Sequence, residues 1–174
     1  MTAGFVIAGG VSKLSATLAD SGVEVGPTAS ATDTFAVDGL ATPLQWLTDH
    51  GYTRFTGWTL HGDAFYADAL APGRDDVVDS ISMVGGGAPE AEPMGELDEA
   101  ALVFTVADVA IEVIPEVVAV APSVVGGLTV SHLIVDNWDG ELALRPYVSG
   151  DEYGSGSGYG VWSADGSRLI RVVR

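Results

Sequence analysis

Cysteine is absent from the 174 residues. That excludes a disulfide framework, a thiolate metal site, an iron–sulfur cluster and a thiol nucleophile, and leaves the redox compartment open. Cations are almost as scarce. Lys13 is the single lysine, and with six arginines it faces 24 Asp and Glu, for a net charge of −17. Seven cations cannot build a phosphate-neutralising face against that field, so nucleic-acid binding is excluded as a main activity, as is attraction to an anionic membrane. No long apolar stretch is free of charge either. The longest, Leu102 to Val125, carries Asp108, Glu112, Pro115 and Glu116, which a bilayer core would not accept in one span. The opening residues, MTAGFVIAGGVSKL, lack a basic stretch and hold only four or five consecutive apolar residues. They do not read as a signal peptide, and the expectation is cytoplasmic synthesis.

What is present is a globular composition. Hydrophobic residues make up 47% of the chain and the mean hydropathy is +0.31. Disorder across the whole chain is therefore excluded in spite of the charge, and the length suits one domain or two very small ones.

The acidity is unevenly placed. Residues 75–144 contain fourteen acids and no lysine or arginine, whereas residues 145–174 contain four arginines against three acids. Within the acidic block, GGGAPEAEPMG interrupts any regular pattern with Gly and Pro. It predicts an exposed linker or long loop over 85–95, dividing a β-rich part with a helix–hairpin unit (1–84) from a β-meander part (96–174). The two parts are expected to pack as one domain.

Local signals favour strands. Phe5 to Ala8, Lys13 to Leu18 and Thr34 to Val37 read as short strands. Thr42 as N-cap, Pro43 at the first helical position and Gly51 beyond the end predict one short helix over 43–50, with Leu44 and Leu47 inward and Trp46 on the flank. Tyr52 to Leu60 and Ala64 to Leu70 flank His61-Gly62-Asp63 as a hairpin. Ala100 to Ala121 is so dense in Val, Ile and Phe that it reads as strand, broken or forced to an edge by Pro115. Leu128 to Val135 with Glu141 to Val148, and Tyr159 to Ser163 with Arg168 to Val173, are joined through Asp-Gly turn signals and predict C-terminal hairpins. Gly150 to Gly158 reads as a flexible loop. No repeat at a fixed sequence period is visible. The fold expected is mainly β, an antiparallel sandwich or barrel-like sheet with one short helix.

Chemistry-bearing patterns are few. His50, His61 and His132 belong to no metal-binding spacing. GxSxG is absent, and the GSGSG run ending at Gly158 lacks a phosphate-loop pattern and sits beside Asp151 and Glu152. Asp136, Asp139 and Glu141 around Gly140 could hold calcium, although a turn rich in Asp and Asn is the simpler explanation, and the same holds for Asp75, Asp76 and Asp79. Trp46, Tyr52, Phe55, Trp58, Phe65 and Tyr66 concentrate in one helix–hairpin unit and read as core more than as a sugar platform. No catalytic, cofactor or metal residue is expected.

An acidic, apolar, β-rich chain of this kind points to a non-enzymatic structural or assembly protein, a homo-oligomer or larger array. A phage virion component fits, such as a capsid decoration or tail protein, and the Ala/Gly/Val/Asp bias suggests a high-GC host. The alternative is an acidic inhibitor: a DNA-mimicking anti-restriction protein or an immunity protein, using the acidic block against a basic partner.

Overall fold

The structure is a computed structural model that describes residues 33–150 and 156–174. The strands expected at Phe5 to Ala8 and Lys13 to Leu18, and most of the loop expected over 150–158, lie outside the described residues. Gly156 to Gly158 belong to a strand.

Helix α1 runs Val37–Asp49. It starts well before the expected position, and the strand expected over Thr34 to Val37 is instead the turn leading into it: Asp33 Oδ1 accepts the Phe35 N–H in an Asx turn, Ala36 is the N-cap and Val37 is the first helical residue. Pro43 thus lies inside the helix, not at its start. Gly39 has no room for a side chain, since a Cβ there would stand 1.9 Å from the Asp33 carbonyl oxygen. The expected stop is present: Gly51 has φ +83°, and Tyr52 N–H to Leu47 O and Gly51 N–H to Thr48 O complete a Schellman motif.

Four strands follow as a meander: β1 (Phe55–Leu60), β2 (Ala64–Leu70), β3 (Val77–Val84) and β4 (Glu90–Glu96). The β1–β2 hairpin is where the sequence places it. The stretch 85–95, expected as a linker or loop, is instead a tight turn through Gly85 and Gly86, both at positive φ, followed by β4 paired antiparallel to β3. An edge strand needs no apolar pattern, which is why a wholly exposed segment containing Pro93 can form one.

The Val-rich stretch 100–121 is also corrected. It holds one isolated bridge, Phe104 to Phe55, then two single 3₁₀ turns and helix α2 (Ile114–Val125). Buried Ile114, Val117, Ala121 and Val125 recur at helical spacing, and Pro115 opens the helix instead of breaking a strand. β-Branched density misled because it marked burial, not strand. Gly126, at φ +92°, ends α2, and the Arg174 guanidinium donates to the Val125 and Val124 carbonyls at 2.8 and 3.2 Å.

A second meander closes the chain: β5 (Thr129–Trp138), β6 (Glu141–Ser149), β7 (Gly156–Ser163) and β8 (Leu169–Val173). Asp139 and Gly140, at φ +53° and +87°, make the two-residue β5–β6 turn that Asp-Gly signals.

Among the described residues the eight strands form one antiparallel sheet in the order β4-β3-β2-β1-β5-β6-β7-β8. The fold is mainly β, with the C-terminal hairpins expected, but the sheet is open and carries two helices. Read outward from the β1–β5 pair, the order is the same on both sides: each half is one helix followed by a four-stranded meander. This repeat of architecture leaves no fixed period in the sequence. Leu40 and Leu47 of α1 and the buried face of α2 join Trp58, Phe65, Leu133, Leu144 and Trp162 in a common core on one face of the sheet.

Candidate functional site

Successive strand residues point to opposite faces, so the face away from the helices is built by the residues that alternate with the core. On β6, Leu142 and Leu144 belong to the core side, and Ala143, Arg145 and Tyr147 to the other. Register aligns His132, Tyr147 and Tyr159 across β5, β6 and β7. The result is a row of six rings. Tyr66 meets His61 edge to face at 5.8 Å, and His61 stacks on His132 at 5.3 Å. His132 stacks on Tyr147 at 4.4 Å, Tyr147 leans on Tyr159 at 4.7 Å, and Trp138 closes the row against Tyr159 at 5.8 Å.

Arg145 lies beneath its far end. Its guanidinium carbon is 5.5 Å from the Trp138 ring and 5.9 Å from those of Tyr147 and Tyr159. Nε and Nη2 donate to the two carboxylate oxygens of Asp136, and Nη1 donates to the Tyr147 hydroxyl at 3.0 Å. The Arg145 and Asp136 side chains are 13% and 26% exposed, so the ion pair is largely withdrawn from water. Burial works against the guanidinium charge, and the Asp136 carboxylate more than offsets it, leaving Arg145 raised. Ala143 and Val161, on the same face by alternation, are fully buried, so this cluster is a small second core.

His132 sits between two rings with no carboxylate among the groups that shift it. Burial, then His61 and Arg145, lower its pKa, so the folded state favours neutral imidazole. Below an unfolded value of about 6.5 the unfolded chain binds a proton that the native state resists, so stability falls with falling pH. The melting temperature of the wild type is expected to drop between about pH 7 and 5.5, a window in which ordinary carboxylates stay ionised. In His132→Phe that slope should shrink. An unchanged slope would refute the assignment.

Next to the row, Gly57 leaves a shallow trough flanked by Thr59, Tyr66, Asp68, Ile134 and Asp136. Asp68 and Asp136 oppose Gly57 from either side. The ring faces are spent on one another, so the row offers edges to solvent and not a flat stacking surface for a sugar.

The residues singled out from sequence are dispersed. Asp136 is bound to Arg145, Glu141 reaches Arg168 at 3.2 Å, and Asp139 occupies the turn, so the three do not converge as a calcium cage. Asp75 pairs with Arg54, Asp76 with Arg74 at 2.9 Å, and Asp79 accepts the Tyr52 hydroxyl at 2.9 Å. Among the described residues no three His, Asp or Glu side chains are placed to share a metal ion. His50 stacks on Trp46 at 4.0 Å. Phe55, Trp58 and Phe65 are core, as expected, and Tyr66 is the aromatic of that unit that joins the outer row. His61 and His132 come together although no spacing linked them. Arg145, Tyr147, Tyr159 and Trp138 were missed; the alternation of Ala143, Arg145 and Tyr147 was the available signal.

Helix α2 presents another surface. Its outward side carries Glu116, Ala119, Val120 and Ser123, with Val118 and Val124 half-buried; Val120 is 39% exposed, and Leu128 just beyond the helix is 62% exposed. A groove of about 300 Å³ lies between α2 and the β7–β8 turn, floored by Val113, Val117 and Trp162 and rimmed by Glu116 and Asp165. Hydrogen bonds from Ser163 and Ser167 hold the Asp165 carboxyl down at about 2.

No family model and no curated protein matches the chain. Among solved structures, the crystal structure of a putative lipoprotein from Clostridium difficile 630 is similar, with a TM-score of 0.50 and 8% identity over 77% of this chain and 90% of that one. At that identity the likeness is one of fold.

Proposed function

We propose that the chain is a non-enzymatic structural or assembly protein that covers part of its surface with further copies of itself, as a phage capsid decoration or tail protein from a high-GC host would. The observation that carries this reading is α2. A helix on a sheet normally turns a polar side to water, and one that is apolar all round is covered on both sides. The outward side of α2 has Ala119, Val120 and the flanks of Val118 and Val124 where charges would be usual, with Glu116 and Ser123 its two polar residues. Size, β content and the lack of cysteine support the virion setting.

Native mass spectrometry is expected to show multiples of the 17.9 kDa chain. Val120→Asp, which places a charge on that side without touching the core, should shift the population to monomer. A wild type that stays monomeric at high micromolar concentration would overturn the proposal.

The inhibitor reading is favoured by a different observation: Glu90, Glu92, Glu96, Asp98 and Glu99 are all exposed along one end of the sheet. It predicts that Glu90→Gln with Glu92→Gln abolishes binding to a basic nuclease.

A further inference from the structure

We infer that copies join through opposite ends of the sheet, β8 of one against β4 of the next. This rests on the assembly reading above and adds a contact at the sheet ends to the one at α2. Among the described residues β4 and β8 are the two ends. With eight strands, each antiparallel to its neighbour, the end strands run in opposite directions. A copy added at the end therefore meets β8 antiparallel, the same relation that holds at every pair within the molecule.

The two edges differ in charge. Glu90 and Glu92 oppose Ser82 and Ser80 and alternate with Ala91, which opposes buried Ile81, so both carboxylates stand on the face away from the helices. Arg171 opposes Val161 on that same face, and Val172 packs on the core side. In a continued sheet the Arg171 cation and the Glu90 and Glu92 carboxylates fall on one face, and Ala91 and Val172 on the other. Opposite charges facing across strands stabilise a pair, and like charges oppose it.

Charge also rejects the competing pairings. β4 against β4 would bring two acidic rows together, and β8 against β8 would bring two Arg171 side chains together. The acids and Pro93 are the usual protection of an edge, whereas Leu169–Val173 contains neither an acid nor a proline. Pro93 has no N–H to offer, so the junction runs mainly over Glu90 to Glu92. A contact between unlike edges does not close on itself as a two-fold dimer does, and it generates an open array or a ring.

The test is a charge exchange read by sedimentation velocity and native mass spectrometry at one ionic strength. Arg171→Glu and Glu92→Arg are both at exposed positions, and circular dichroism checks that each variant is folded. Each alone should weaken self-association about tenfold, since it faces like charges at every junction. An equimolar mixture should regain assembly with the two variants alternating, because each β8 then meets the opposite charge on its neighbour's β4. Singles that assemble like the wild type, or a mixture that fails to recover, overturn this inference. If the wild type is oligomeric and Val120→Asp still shifts the population to monomer in that case, the assembly reading survives. A monomeric wild type overturns both.

Discussion

Replacing Arg145 with alanine is expected to cost about 2 to 3 kcal/mol of folding stability. The change strands the Asp136 carboxylate, 26% exposed, without its two charge-assisted hydrogen bonds, and it also removes a cation held near the Trp138, Tyr147 and Tyr159 rings. The figure lies below that for a fully buried pair because some water reaches both groups. For a chain of this size it corresponds to a fall in melting temperature of roughly 5 to 10 °C. Asp136→Leu alone should cost about as much, by leaving the guanidinium unpaired. The double variant Arg145→Leu with Asp136→Leu should recover most of the loss, because two apolar side chains need neither partner. Urea unfolding of the wild type, Arg145→Leu, Asp136→Leu and the double variant closes the cycle. Singles within about 0.5 kcal/mol of the wild type would show that the pair behaves as an ordinary surface contact.

A larger loss, about 3 to 5 kcal/mol, is expected for Trp58→Ala. The indole is 1% exposed and packs edge to face against Phe55 and Phe104, both at 5.3 Å, with Phe65 at 6.1 Å. These rings come from β1, from β2 and from the bridge residue that ties the α2 approach to the sheet, so the void left would loosen several elements together. Trp58→Phe makes a sharper test. The Trp58 Nε1 hydrogen is buried without an acceptor, and an unmet donor is itself destabilising by about 1 to 3 kcal/mol. Phenylalanine removes that donor while keeping most of the ring, so it should lose less than half of what alanine loses. A phenylalanine variant as unstable as the alanine one would mean that the hydrogen is satisfied in solution.

Features set by neighbouring residues were legible in the sequence. Asp139-Gly140 supplies the left-handed conformations of a two-residue turn, and Gly51 the helix stop. The prolines were misleading in opposite senses: Pro43 looked like a helix start and lies inside α1, while Pro115 looked like a strand break and opens α2. The α1 boundary is set by the Asx turn at Asp33, a local signal overshadowed by Thr42-Pro43, and the α2 boundary by burial on the sheet, which no local pattern records. The ring row was not legible because it depends on register. His132 and Tyr147 stack only because β5 and β6 pair as they do, and His61 joins them from another hairpin. Asp136 was noticed as a carboxylate in a turn region, but its partner Arg145 lies on the next strand.

The β1–β5 pair has a consequence for how the chain acquires its structure. Every other strand pairing among the described residues joins strands that are neighbours in the sequence. This one brings Gly57–Leu60 against Leu133–Asp136 and closes a loop containing both β2–β4 and α2. Loop closure of that length is the slow, entropically opposed step in folding a sheet, and pairings of low sequence separation precede it. Each four-stranded half therefore nucleates on its own turns, and the rate of reaching the native state is set by how quickly four residues of one half find four of the other.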